Sequence, residues 1–214
     1  HTIKMQPYNK KLIQALISKG IQMIDYECLR NTEGQRLLGF GRYAGIVGSY
    51  NSLLAWGKRT NNFDLKPAHL CSDMSEIKEE LKKIKLSNIK IVLTGGGRVA
   101  KGAVELLQLA GIKQVSPEAY LVKSFGEAVF TNVDCEHYYS LQGEIEFSYP
   151  HFFKNSKDYD VNFLPYLNDS EIFISCHYWD NESKVLFTAD DCNSEEFKTK
   201  VIGDITCDIL GSVP

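Results

Sequence analysis

Apolar positions along this chain follow two rhythms, a helical spacing near the start and short continuous runs later, and the change between them organises the molecule. Leu12, Ile13, Leu16 and Ile17 share one face and predict a helix over residues 8–19; Gly20 stops it, and the run 21–26 predicts a strand. A turn at 31–34 leads into a second short strand near 37–40. The stretch 41–56 is apolar but rich in small residues. Its Ala44, Gly45 and Gly48, with Leu53, Leu54 and Trp56, predict a helix that packs very closely against a neighbour. Residues 60–72 form a connector, and Ser72 or Asp73 caps an exposed, lysine-rich helix running to about Lys85. From Asn88 onward β-prone runs alternate with helical stretches, giving strands at 89–93, 114–115, 128–132, 171–176 and 201–206. That alternation predicts an α/β fold, a parallel sheet wound in βαβ units with helices on both faces. No internal repeat or low-complexity segment interrupts it.

The sharpest break in the pattern is Ile89-Lys90-Ile91-Val92-Leu93-Thr94-Gly95-Gly96-Gly97-Arg98-Val99-Ala100-Lys101-Gly102-Ala103, a β-branched run that passes through three glycines into helical spacing. It reads as strand, tight turn and helix N-terminus, the unit that binds the pyrophosphate of a dinucleotide. Glycine is required there because a turn without Cβ atoms admits positive φ and lets the backbone approach phosphate oxygens, while the helix N–H groups face the negative charge. Gly95, Gly97 and Ala100 occupy the G-x-G-x-x-G/A positions. Val104, Leu106, Leu107 and Ala110 give the helix an apolar face, and Gly111 ends it. An ordinary βα turn is the alternative reading.

Composition narrows the classes. The 214 residues suffice for one large domain or two small ones, and an apolar share of 43% supports a core. A net charge of -3 with mixed signs offers no basic patch and argues against a nucleic-acid partner. No apolar run reaches the roughly eighteen residues of a membrane span, and His1-Thr2-Ile3-Lys4 is not a secretion signal. Cys28, Cys71, Cys135, Cys176, Cys192 and Cys207 are scattered, without a C-x-x-C pair or a zinc-like histidine spacing. They point to reduced thiols in a cytoplasmic protein without a metal site. The chain starts without methionine and stops soon after a strand-like run, and it reads as a piece of a longer polypeptide.

Several ordered motifs carry a family resemblance over nearly the whole chain: His1-Thr2-Ile3-Lys4-Met5-Gln6, Ile24-Asp25-Tyr26-Glu27, Arg36-Leu37-Leu38-Gly39-Phe40-Gly41-Arg42-Tyr43-Ala44-Gly45, the glycine turn, Phe163-Leu164-Pro165-Tyr166, Ile174-Ser175-Cys176-His177-Tyr178-Trp179 and Gly203-Asp204-Ile205-Thr206-Cys207-Asp208. Together they resemble the lysine-forming saccharopine dehydrogenases, and within that group the lysine-ketoglutarate reductase half of the bifunctional aminoadipic semialdehyde synthases. The resemblance implies two Rossmann-like domains around a cleft, related to alanine dehydrogenase and the transhydrogenase nucleotide domain. Residues 1–68 would then be the end of a substrate domain with an interdomain helix, and 69–214 the NAD(P)-binding domain. The implied activity is that of an oxidoreductase of lysine metabolism. It makes or breaks saccharopine, the secondary amine joining lysine to 2-oxoglutarate, by hydride transfer between a nicotinamide and an imine. The implied partners are these small molecules, and an oligomer is compatible with the reading.

Such chemistry needs a proton shuttle, cations for carboxylates and a dinucleotide cradle. By resemblance His1 is the acid/base group, fitting an imidazole that titrates near neutrality, and Lys4 and Gln6 contact substrate. Arg36 matches an arginine at the domain junction, and Gly95, Gly96, Gly97 and Arg98 match the pyrophosphate turn. Cys176 and His177 follow a buried strand at its C-terminal edge, where ligands lie in open α/β sheets. Asp204 and Asp208 match a nicotinamide-side loop, although caps of a following helix explain them equally. If the resemblance is set aside, a solvated charge accounts for Lys4, a plain surface salt bridge for Arg36 and a core thiol for Cys176.

Cofactor choice stays open between NAD and NADP. Folds that favour NAD place an acid about twenty residues past the glycines to bind the ribose 2′-OH. Here that region reads Gln114-Val115-Ser116-Pro117-Glu118, with Ser116 at the aligned position, Glu118 near the right distance, and Lys123 able to meet a 2′-phosphate. Two further classes remain: a related amino-acid dehydrogenase such as alanine dehydrogenase, and a dinucleotide-binding regulatory module without turnover. A catalytic lysine of the family would lie upstream, so these residues alone are expected to be inactive.

Overall fold

Helix α1, Lys10–Ser18, forms as the apolar spacing predicts, preceded by a 3-10 turn at Pro7–Asn9 and closed by Gly20 at φ +60°. It belongs to the first of two compact units, His1–Phe40, in a computed structural model that describes residues 7–34, 36–141, 143, 146–180, 182–206 and 211–214. The strand expected at 21–26 does not form. A strand needs a partner for its N–H and C=O groups, and the described part of this unit offers only an isolated antiparallel bridge between Arg30 and Arg36. Residues 37–40 form no strand either, and a 3-10 turn occupies Tyr26–Cys28.

The second unit, Gly41–Pro214, holds the sheet. Helix α2, Gly41–Thr60, is the close-packing helix that its small residues predict. Helix α3, Met74–Leu81, is capped by Asp73, whose side chain accepts the amides of Ser75 at 2.8 Å and Glu76 at 3.0 Å, and it stops short of Lys85. Strand β1, Lys90–Thr94, leads through the glycines into helix α4, Arg98–Leu109. Then come β2, Lys113–Gln114, helix α5, Pro117–Val122, and β3, Val129–Val133. A small antiparallel pair, β4 (Tyr139–Ser140) with β5 (Asp160–Val161), flanks the four-residue helix α6, Tyr149–Phe152. Helix α7, Leu164–Leu167, precedes β6, Ile172–Ser175, and β7, Val201–Asp204.

All five predicted later strands are present and join one sheet in the order β2-β3-β1-β6-β7, every pairing parallel. Alternation along β1 splits the core, as expected of a strand covered on both faces. Ile91 and Leu93 pack with Leu53, Ala103 and Leu106 beneath α2 and α4, while Val92 packs with Phe163, Tyr166 and Phe173 on the other face. The second face is aromatic, with Phe163 edge-on to Tyr138 and tilted against Phe173 at 5.3 and 5.0 Å between centroids. Residues 135–163, between β3 and α7, supply many of these rings, a lobe without a strong periodic signal in the sequence.

Helices α2 and α4 approach to backbone contact. A Cβ on Gly45 would lie 1.9 Å from the Val99 carbonyl oxygen, and one on Gly102 would lie 2.0 Å from the Arg42 carbonyl oxygen. Arg42 and Glu105 then clamp the helices by a bidentate pair at 2.8 and 2.6 Å. This packing anchors the N-terminal half of α4, and with it the turn that precedes it.

Candidate dinucleotide site

The chain runs from β1 out to β2 and back to β3 on one side, then crosses to β6 on the other. The crevice at the carboxyl end of β1 is therefore the switch point at which open parallel sheets bind ligands. Gly95 stands there at φ +102°, and a Cβ on it would come within 2.9 Å of both the Cys176 carbonyl oxygen and the His177 Cα. A side chain there would need Cys176 and His177, just after β6, to move. Gly97 starts α4 in extended backbone with no side-chain cap, and a Cβ there would meet nothing within 4 Å. The turn thus opens in front of the first N–H groups of a 12-residue helix, which need a partner and attract negative charge. Gly96, Gly97 and Arg98 are exposed at this mouth. An open turn before a helix N-terminus presents the positive end of the helix dipole to an anion.

The β3 side adds a carboxylate. The Gly95 amide donates to the Val133 carbonyl at 2.8 Å, and Asn132 Nδ2 donates to the Gly95 carbonyl at 2.9 Å, which ties the turn to the end of β3. The next residue is Asp134. Its Oδ1 accepts the Cys135 amide at 2.8 Å and caps the 3-10 turn Cys135–His137, while its Oδ2 lies 2.3 Å from where a Cβ on Gly96 would be. Tyr149 borders it, its hydroxyl pushed up by burial first and then by Asp134.

Asp134 joins Ser116 and Glu118 as a candidate for the ribose position. Ser116 is exposed and serves as N-cap of α5, accepting the Ala119 amide at 3.2 Å; Glu118 is exposed in the first turn of that helix, its carboxyl held low by backbone and Ser116 hydrogen bonds. Both follow β2, which is the sheet's edge, whereas β3 is the strand beside β1. A short strand and a six-residue helix intervene between α4 and β3, so Asp134 comes later in the chain than the usual spacing for such an acid. The signal was present in Val129-Phe130-Thr131-Asn132-Val133-Asp134, a β-branched run ending in an acid.

On the other side of β1, Cys176 and His177 sit at the end of β6 as expected, but buried, at 5% and 8% exposure. Burial pushes the Cys176 thiol up and the His177 imidazole down to about 4, against the pull of Asp204 and Asp134 on the latter. Asp204 ends β7 exposed at the same edge, its Oδ1 accepting the Thr206 amide at 3.0 Å. Arg36 lies in the first unit, exposed. His1, Lys4, Gln6 and Asp208 lie outside the described residues. Among the described residues no group of three or more metal-ligating side chains comes together, and no helix is long and apolar enough to cross a membrane.

A parallel sheet with a glycine turn after its central strand and an acid after the adjoining strand defines a Rossmann-like α/β fold. The comparisons with known proteins agree. L-alanine dehydrogenase superposes with a TM-score of 0.50 at 16% identity, over 100% of this chain and 50% of that one, a likeness of fold. In sequence the chain is similar to the alpha-aminoadipic semialdehyde synthases of mouse (Mus musculus; mitochondrial by name), 28% identical over 222 positions, and of Arabidopsis thaliana, 25% identical over 252. These alignments cover 91% and 100% of this chain but 23% and 24% of the relatives. It is also 26% identical over 134 positions to a saccharopine dehydrogenase [NAD(+), L-lysine-forming] of Candida glabrata, covering 58% of this chain and 35% of that enzyme. The resemblance read from the sequence motifs is therefore to the right group. The chain spans about a quarter of the length of the semialdehyde synthases it matches. No family model matches it.

Proposed function

We propose that this chain is the dinucleotide-binding part of an oxidoreductase of lysine metabolism, one that forms or cleaves saccharopine from lysine and 2-oxoglutarate with NAD(H). The observation that carries the cofactor reading is the Asp134 carboxylate beside the Gly95–Gly97 turn at the end of β3; the relatives' names carry the substrate class. A nicotinamide bound here would supply hydride transfer to the imine of lysine and 2-oxoglutarate. The N-terminus of α4 and Arg98 would hold the pyrophosphate, and Asp134 would accept from the ribose hydroxyls while opposing a 2′-phosphate. NAD is thereby favoured over NADP.

The remaining assignments rest on motif. His1 as acid/base group and Lys4 and Gln6 as substrate contacts belong to the His1-Thr2-Ile3-Lys4-Met5-Gln6 match, Arg36 to a junction between domains, and Asp204 and Asp208 to the nicotinamide side. Residues 1–68 are read as the end of a substrate domain and 69–214 as the nucleotide domain; α2, taken as the interdomain helix, packs within the second unit against α4. A protein limited to these residues is expected to bind dinucleotide without turnover. A cytoplasmic location is likewise our reading, to be checked by localising the full-length protein, since the mouse relative is mitochondrial by name. Oxidation of NADH by the full-length protein, followed at 340 nm, tests the activity. The expected rate requires lysine and 2-oxoglutarate together; a rate with pyruvate and ammonia instead would move the protein to the alanine dehydrogenase reading.

A further inference from the structure

Three buried polar side chains from three different elements meet directly beneath the glycine turn. Thr94 ends β1, His177 follows β6, and Ser212 lies in the segment beyond β7, with exposures of 0%, 8% and 1%. Thr94 Oγ1 is 2.6 Å from His177 Nδ1, and His177 Nε2 is 2.8 Å from Ser212 Oγ. The Cys176 amide donates to the same Thr94 Oγ1 at 3.3 Å. With Nδ1 as its remaining partner, the threonine hydroxyl donates to the ring, and the single proton of the neutral imidazole is thus assigned to Nε2, which donates to Ser212. Each member has a hydrogen-bond partner within the trio, and the imidazole is held neutral by its burial although Asp204 and Asp134 would favour the cation.

Burying a polar trio gains little stability over an apolar one of the same shape, so its specific geometry is the informative property. That geometry touches the turn twice. Thr94 is the residue before Gly95, and the His177 Cα and the Cys176 carbonyl form the surface on which Gly95 rests. With both ring nitrogens engaged inside the protein, His177 has no nitrogen left to offer a cofactor.

We infer that His177 is a positioning residue of the dinucleotide site: through Thr94 on one side and Ser212 on the other, it holds the glycine turn and residues 211–214 in one register, so that the turn stands preformed for a pyrophosphate. The inference rests on the dinucleotide reading of Gly95–Gly97. It makes a remote residue, Ser212, matter to cofactor affinity without touching the cofactor.

The test uses the full-length protein, NADH titration by fluorescence, and amide exchange of the 95–100 segment without ligand. Thr94→Val, which keeps shape and removes the hydroxyl, is expected to raise the Kd for NADH about tenfold, and Ser212→Ala at the far end about fivefold. Their double variant should be little worse than Thr94→Val alone, because both break one chain. Thr94→Ser should recover most of the Thr94→Val loss. Exchange at 95–100 should quicken in step with Kd. Should Thr94→Val fail to fold, Ser212→Ala decides alone. Variants that lower the melting temperature but keep the wild-type Kd and exchange would overturn the inference and leave a merely structural network. A wild-type protein that binds no NADH would overturn the dinucleotide reading itself, and this inference with it.

Discussion

The two compact units respond differently to the same kind of sequence. Residues 8–26 carry as clear an apolar pattern as β1 or α4, yet in the first unit no residue of α1 is buried, Ile17 and Ile24 are 75% and 72% exposed, and residues 21–25 join no strand. In the second unit Ile91, Val92 and Leu93 are sealed at 0% between two layers. The difference lies in what each element needs. A helix closes its hydrogen bonds within itself and forms wherever the spacing allows, whereas a strand needs a neighbour to accept and donate. Apolar periodicity states an intention that only a partner completes.

That contrast can be broken or sharpened by substitution. The largest effect is expected at Gly45→Ala, whose Cβ would enter the Val99 carbonyl; the loss should reach about 3 kcal/mol or more in a denaturant titration, and a cost under about 1 kcal/mol would mean that α2 and α4 are not so closely packed. Next comes a paired comparison of one change in two places. Leu53→Ala, at 0% exposure, should cost roughly 2–5 kcal/mol, while Leu12→Ala, at 50%, should stay within about 0.5 kcal/mol. Equal losses would show that the first unit has a core as demanding as the second.

Acid should act through the second unit. His177 titrates near 4 in the folded chain, below its ordinary value of 6.5, so the folded state favours the neutral ring. This contribution is fully present above about 6.5 and is lost as pH falls towards about 4. Urea midpoints measured over that range should fall for the wild type and fall less for His177→Gln; parallel curves would remove His177 from the account. The smallest perturbation is chemical labelling. A thiol reagent at pH 8 should modify exposed Cys28 and Cys192 first and leave Cys135, pushed up to about 12 chiefly by burial, untouched until unfolding.

Much of the fold was legible because its signals are local. Strand runs, the small-residue helix and the glycine turn each encode their own geometry, and the five later strands appear within a residue or two of their expected places. What escaped was relational. Sequence order does not say that β2 goes to the edge and β3 lies beside β1, so Ser116 and Glu118 were singled out and Asp134 was not. The β4–β5 pair, two residues each, is too short for periodicity to register. Cys176 and His177 were rightly placed at the carboxyl edge, but only packing reveals that both are buried and that His177 faces Thr94 and Ser212.

The central claim is that Asp134 makes this an NAD site, and the direct test is to titrate the full-length protein and its Asp134→Ala variant with NADH and NADPH side by side. The wild type should bind NADH at least about tenfold more tightly, and the variant should lose most of that preference, because the carboxylate no longer repels a 2′-phosphate. Tighter binding of NADPH by the wild type, or an unchanged preference in Asp134→Ala, would contradict it.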